Sequence, residues 1–404
     1  MSAGILPALK SAGFQPAFVL ISNCMNFELN EEEQMLQQLV RDFAENEVKP
    51  IAAEIDRDGR FPVETIRKAA ELGLTGISVP DTYGGAGLRS LATVVAIEEL
   101  SRCCASTGVI LSVNNSLVCD PILKFGNEEQ KQRILKPLAS GEKLGCFGLT
   151  EAQAGSDASN LRTTATRDGD DYVVNGEKVW ITNARNADWA LVFCVTNRED
   201  KHHGLTALMI HKEMAGFSAG KHEEKMGIRA AVSAALHLEN VRVPASNRLG
   251  KEGDGFKVAM SALDGGRIGI AAQAVGIAQG AYEAALGYAK QRTAFGHSIA
   301  EFQAIQFMLS DMVTEIEAAR LLNYRAALAK DSGKRFSKEA SMAKLFASEV
   351  AMKHTVKAVQ IHGGYGYSKE FPVERAMRDA KITEIYEGTS EIQRLVIASA
   401  ILDF

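Results

Sequence analysis

The chain has 404 residues, 46% hydrophobic and 24% charged, enough apolar material for a large core shared among two or three domains. A formal net charge of -5 and a pI near 6.0 leave no dominant basic face, which argues against nucleic acid as a partner. Cys24, Cys103, Cys104, Cys119, Cys146 and Cys194 form no CxxC pair and have no histidine at ligand spacing, so neither zinc nor a disulfide framework is expected. No apolar run reaches the length of a membrane span.

Residues 1–25 do not fit the rest. Met1 to Cys24 holds a single Lys, no Arg and no acid, around an apolar patch at Ala17-Phe18-Val19-Leu20-Ile21. It lacks the arginines of a mitochondrial presequence and the charged start of a secretory signal. It reads as an N-terminal extension of unknown use, with an upstream start codon and a poor presequence both left open.

A helical region follows over residues 26–142. Leu36, Leu39, Val40, Phe43 and Val48 form one apolar stripe, and Phe61-Pro62 opens another helix. The loop from Val79 to Gly87 contains Gly85-Ala86-Gly87, but no strand precedes it, so a dinucleotide-binding unit is rejected. Over residues 143–252 the period changes to that of strands. Asn175-Gly176 between β-prone runs predicts a hairpin turn, with further strands at Ala190–Val195 and Leu205–Ile210. Residues 253–404 return to long helices, broken near Gly296, Ser332-Gly333 and Gly363–Gly366.

Near the C-terminus, Ile385-Tyr386-Glu387-Gly388-Thr389-Ser390-Glu391-Ile392-Gln393 places Glu387 in a turn before a helix. Ser390 is the expected N-cap, with Gln393 reaching back, and Ile392, Leu395, Val396, Ile401 and Leu402 form the apolar face. Gly388 lets Glu387 point into a cavity, where apolar surroundings would raise its pKa toward that of a general base. The competing reading is an ordinary first turn whose acids complement the helix dipole.

Tyr386 to Gln393 resembles the signature of the acyl-CoA dehydrogenase family. So do Leu149 to Asp157, Trp180 to Asn183, Lys225 to Arg229, Leu263 to Arg267, Arg292 to Gly296 and Gln360 to Gly366, in order from about residue 27 to the end. Met25 to Leu29 looks like a natural start for this family. The resemblance implies a multi-domain α+β fold: an N-terminal helical domain, a middle β-barrel-like or orthogonal β domain, and a C-terminal four-helix bundle. It also implies FAD, held non-covalently between the β domain and the C-terminal helices, because no protein side chain accepts a hydride.

The family pattern assigns Phe147, Leu149, Thr150, Gly155, Ser156, Trp180, Ile181 and Thr182 to the flavin. Trp180 would lie beside the ring and Thr182 near N5. Ala152-Gln153 departs from the Pro-Gly usual there, which puts the rigidity of that loop in question. Arg292, Gln303, Gln360, Gly363 and Gly364 match the part of the site that reaches FAD across a subunit boundary, and imply a homotetramer. Thr389, Ser390 and Glu391 match flavin contacts. Ser156, Asp264, Arg267 and Gly388 match substrate contacts.

Glu387 matches the catalytic base, and Gly266 stands where other branches of the family carry theirs. The implied reaction has Glu387 take the α-proton while flavin N5 takes the β-hydride, with the thioester oxygen polarised by the Glu387 N–H and a ribityl hydroxyl. The product is a trans-2-enoyl-CoA, and the electrons pass to an electron-transferring flavoprotein in fatty acid β-oxidation. Gln273 and Thr383 resemble residues that shorten the cavity in butyryl-type enzymes, which points to a short-chain substrate. Short-branched acyl-CoA is the alternative within the class, and a non-catalytic acyl-CoA-binding scaffold the alternative outside it. The compartment is the cytoplasm for a bacterial source and the mitochondrial matrix for a eukaryotic one.

Overall fold

The computed structural model describes residues 27–200 and 203–402, so the N-terminal extension and Cys24 lie outside the described residues. Helices α1 (Glu31–Phe43), α2 (Ala52–Asp58), α3 (Val63–Glu71), α4 (Ser90–Cys103), α5 (Ala105–Ser112), α6 (Asp120–Phe125), α7 (Glu128–Gln130) and α8 (Lys136–Ala139) make the first layer. Asn30 and Glu33 form a reciprocal capping box that starts α1. Val40, Phe43 and Val48 of the expected stripe are buried, and Leu36 packs against them. Leu39, one residue off that face, is exposed.

Strands β1 (Gly145–Gly148), β2 (Thr164–Asp168), β3 (Asp171–Thr182), β4 (Trp189–Val195), β5 (Leu205–His211), β6 (Phe217–Ala219), β7 (Ser233–Pro244) and β8 (Arg248–Leu249) form one sheet. Its order is β6-β7-β3-β2-β4-β5-β8, with β1 parallel to β4. Side chains on β4 alternate between two cores, as the two-residue period of a strand requires. Leu191, Phe193 and Val195 join the helical core, while Ala190, Val192 and Cys194 join a second core enclosed by the sheet itself.

The Asn175-Gly176 hairpin is not found. β3 runs straight through it, and the chain reverses instead at Gly169-Asp170, between β2 and β3. Asn175-Gly176 sits at a register shift against β7, where the Asn175 side chain accepts from the Asn240 N–H at 2.8 Å and bonds its side chain at 3.1 Å. A bulge tolerates the same residues as a tight turn, so local composition did not separate the two.

Helices α9 (Gly255–Gln291), α10 (Gln303–Asp331) and α11 (Ser337–His362) pack side by side, with α12 (Pro372–Lys381) and α13 (Ser390–Leu402) against them. Buried polar ties set the sheet against the first layer and the C-terminal helices against the sheet region. Asn114 accepts from Gly145 N–H at 2.9 Å, Asn183 donates to the Ile110 and Gly145 carbonyls, and Asp379 on α12 accepts from Ile228 N–H at 2.5 Å. No helix among the described residues is long and apolar enough to cross a membrane.

Candidate active site

The three layers meet around a cleft of about 740 Å³. One wall comes from the sheet: Phe147, Leu149, Thr150, Gly155, Ser156, Trp180, Ile181 and Thr182 all line it. A second register shift, between Lys178 and Ile181, falls at Trp180, whose φ is +62°. That bulge turns the indole out of the strand's alternation, and Trp180 is 62% exposed along the cleft.

The loop before that wall is tied down by hydrogen bonds despite Ala152-Gln153. Glu151 and Ala154 exchange backbone hydrogen bonds at 3.1 and 3.0 Å. The buried Glu151 carboxylate accepts from the Arg162 and Thr163 N–H groups, from Gln153 Nε2 at 2.6 Å and from Lys178 Nζ at 2.7 Å. Burial alone would raise its pKa, but the Lys178 charge and these hydrogen bonds hold it at about 2. Gln153 thus replaces a stiff dipeptide with a side-chain strut.

The opposite wall carries Glu387. Its φ is +53° and that of Gly388 +93°, so two consecutive left-handed residues turn the chain into α13. The φ of +93° favours glycine at 388, and a Cβ there would stand 2.7 Å from Gln393 Nε2 and push that amide out of its place. The cap differs by one residue from the expectation: Ser390 is already helical, and the Thr389 hydroxyl accepts from Ile392 N–H. Gln393 does reach back, but to the Glu387 and Gly388 carbonyls, because the left-handed turn presents oxygens there. Of the expected apolar face, Ile392 and Val396, one turn apart, line the cleft, whereas Leu395, Ile401 and Leu402 point outward and are exposed.

Glu387 is half-buried as a residue, yet its Oε2 is shielded and has no hydrogen-bond partner among the described residues. Burial pushes its pKa up to about 7, with the Lys344 and Arg267 charges opposing the rise. Gly266 makes room for it: a Cβ there would lie 2.0 Å from Glu387 Oε2 and 2.7 Å from Leu117. The missing side chain at 266 is therefore a steric condition for a base at 387.

Arg267 and Gly388 line the cleft, but Asp264 does not. Asp264 pairs with Arg267 at 2.5 Å and accepts from Ser337, which orients the guanidinium. Thr389 lines the cleft, Ser390 is buried with an unpaired hydroxyl, and Glu391 faces solvent. Arg292, Gly363 and Gly364 gather elsewhere, in an open depression with Tyr288, His362 and Tyr365, while Gln303 and Gln360 are exposed. Gln273 and Thr383 are fully buried and do not line the cleft. Gln273 accepts from the Tyr386 hydroxyl behind the cleft wall, and Thr383 donates to the Ala380 carbonyl. Sequence reading also missed the apolar lining at Val113, Leu117, Phe256 and Met260, whose helical spacing looks like any core face.

The donor set suits a flavin. Thr150, Ser156 and Thr182 bring hydroxyls to the cleft that bond no other described residue, and Gly155 has open space where a side chain would stand. A planar, largely apolar ring with polar edges matches an exposed indole flanked by unmet donors.

A carboxylate with a shielded, partnerless oxygen, set opposite a wall that suits a flavin, fits a redox enzyme with a proton acceptor beside its cofactor. The comparisons say which. The models for the N-terminal, middle and C-terminal domains of acyl-CoA dehydrogenase match residues 30–142, 146–241 and 253–402. A short-chain specific acyl-CoA dehydrogenase of Clostridium acetobutylicum is 52% identical over 377 residues, covering 93% of this chain and all of that one. The structure of butyryl-CoA dehydrogenase from Megasphaera elsdenii matches with a TM-score of 0.92 at 48% identity, covering 94% of this chain and all of that one. A chain from structural work on the electron transferring flavoprotein of Acidaminococcus fermentans matches with a TM-score of 0.93 at 50% identity and the same coverage. The chain belongs to the acyl-CoA dehydrogenase family, and is an oxidoreductase that uses FAD.

Proposed function

We propose that the protein oxidises short-chain acyl-CoA thioesters, with butyryl-CoA as the best straight-chain substrate, to trans-2-enoyl-CoA. The observation that carries this is Glu387, which lines the cleft and keeps a shielded, partnerless Oε2 beside Gly266. A carboxylate titrating near neutrality is basic enough to act as general base toward the α-proton of a thioester, provided the developing enolate charge is stabilised. The Glu387 N–H, which bonds no other described residue, is free to donate to the thioester oxygen as negative charge develops there. Arg267, held by Asp264, lies on the same wall. Thr150, Ser156, Trp180, Thr182 and Thr389 would hold FAD, which when bound supplies the acceptor for the β-hydride.

Arg292, Gly363 and Gly364 sit apart from this cleft on the same chain, which supports a homotetramer in which they serve a neighbour's FAD. Electrons then leave to an electron-transferring flavoprotein. The free, buried cysteines Cys103, Cys104, Cys119, Cys146 and Cys194 suit a reducing compartment, the cytoplasm of a bacterium or the mitochondrial matrix of a eukaryote.

Initial rates over butyryl-, hexanoyl-, octanoyl-, palmitoyl- and 2-methylbutyryl-CoA with an artificial electron acceptor test the substrate. Butyryl-CoA should give the maximum and palmitoyl-CoA no turnover. A maximum at octanoyl-CoA or longer, or a preference for 2-methylbutyryl-CoA, would overturn it. Binding without any flavin reduction would indicate a scaffold instead.

A further inference from the structure

Lys344 on α11 is fully buried and does not line the cleft. Its ammonium donates to the Gly388 carbonyl at 2.8 Å, and Gln393 Nε2 donates to the same oxygen at 2.8 Å. The carbonyl that follows Glu387 is therefore clamped from α11 and α13 together. The ammonium makes no ion pair within 4.0 Å of any described acid. Burying a cation without a direct partner is costly, and an apolar side chain of this length would fill the space without that cost.

We propose that Lys344 is a positioning residue for the catalytic turn: its ammonium fixes the left-handed backbone that aims Glu387, and its charge favours the ionised base. This rests on Glu387 being the base. The groups that face the pair are Arg267 with its partner Asp264 on α9, Glu384 and Tyr386 before the turn, and Glu391 on α13. Burial pulls Lys344 down to about 8, and among the opposing acids Glu387 acts most strongly. Lys344 and Glu387 thus stabilise each other's charged forms across the turn, and Arg267 adds a second positive charge on the cleft side.

The two roles separate by substitution. Lys344→Gln keeps a donor for the Gly388 carbonyl but removes the charge, Lys344→Met removes both, and Lys344→Arg keeps the charge. Flavin-loaded enzyme is mixed with butyryl-CoA across pH 6 to 10, and the rate of flavin bleaching is followed together with FAD content and melting temperature. In Lys344→Gln the rising limb of the rate should move up by about one pH unit or more, with a high-pH plateau close to that of the unmodified enzyme. Lys344→Met should show the same shift and also lose about tenfold or more from the plateau, because the carboxylate is no longer held in line. Lys344→Arg should bring the limb back.

An unmoved limb in Lys344→Gln would overturn the proposal. So would an equal loss of fold and flavin in Lys344→Gln and Lys344→Met, which would make Lys344 a packing residue. Glu387→Gln run alongside separates the two readings. Fast bleaching in that variant rejects the base itself, whereas slow bleaching with an unmoved Lys344→Gln limb rejects only the role of Lys344.

Discussion

Glu151 is buried behind one wall of the cleft and Glu387 lines the other, and the fold treats their carboxylates in opposite ways. Glu151 accepts two backbone N–H groups, an amide and a fully buried Lys178 ammonium, and titrates at about 2. Glu387 keeps an oxygen with no partner and titrates at about 7. Burial raises both, so burial does not distinguish a structural carboxylate from a reactive one. A cation in direct contact and the donors aimed at the oxygens do. A carboxylate with its acceptor capacity filled holds a loop, and one left unfilled is available to take a proton.

The sharpest break of that contrast is Glu387→Gln, which keeps size but cannot take a proton. Flavin bleaching by butyryl-CoA should slow by about a hundred- to ten-thousand-fold, with FAD content and acyl-CoA affinity little changed. Bleaching at near the original speed would mean that the base lies elsewhere.

Lys178→Met should act on the other member. It leaves Glu151 buried without its cation, so unfolding should become easier by about 3–5 kcal/mol, measured by chemical denaturation, with FAD lost alongside. The pH dependence follows the same pair. The Glu151 pKa is depressed from 4.5 in the unfolded chain to about 2, so its stabilisation is complete above pH 4.5 and drains away as pH falls toward 2. Lys178→Met should lack that acid-sensitive component, and an identical acid limb in both proteins would contradict the assignment.

Gly266→Ala comes next. An alanine in a helix is ordinarily stabilising, but here the new methyl lands 2.0 Å from Glu387 Oε2. Displacing the carboxylate by about 1 Å should cost about a hundredfold in flavin reduction while the melting temperature changes little. Wild-type rates in this variant would show that the carboxylate has room to move without loss.

Asn175→Ala should do least. It removes the exposed bonds to Asn240 at a strand bulge, for a loss of about 0.5–1.5 kcal/mol in denaturant titration, with kinetics intact. A collapse of the sheet would mean that the site is a structural turn after all.

How much of this the sequence displayed depends on how local each feature is. The helix–strand–helix order, the strands at Ala190–Val195 and Leu205–Ile210 and the Glu387 turn rest on contiguous patterns and were legible. So were the cleft positions of Thr150, Ser156, Trp180 and Thr182, because short motifs carry them. Lys178 and Glu151 meet across 27 positions, and Lys344 reaches Gly388 across 44, and no local pattern reports such pairings. Gln273 and Thr383 were legible as residues but not as placements, since cavity depth is set by how α9 and the segment after α12 pack. Asn175-Gly176 misled because turn chemistry and bulge chemistry use the same residues.

The account turns on why Glu387 is reactive, and the pH dependence of flavin bleaching by butyryl-CoA in the unmodified, FAD-loaded enzyme tests it most directly. Only the ionised carboxylate accepts the α-proton, so the rate should climb with a midpoint near pH 7 and flatten above it. A rate already flat at pH 5, or a midpoint at the ordinary carboxylate value near 4.5, would contradict an unpaired, desolvated base.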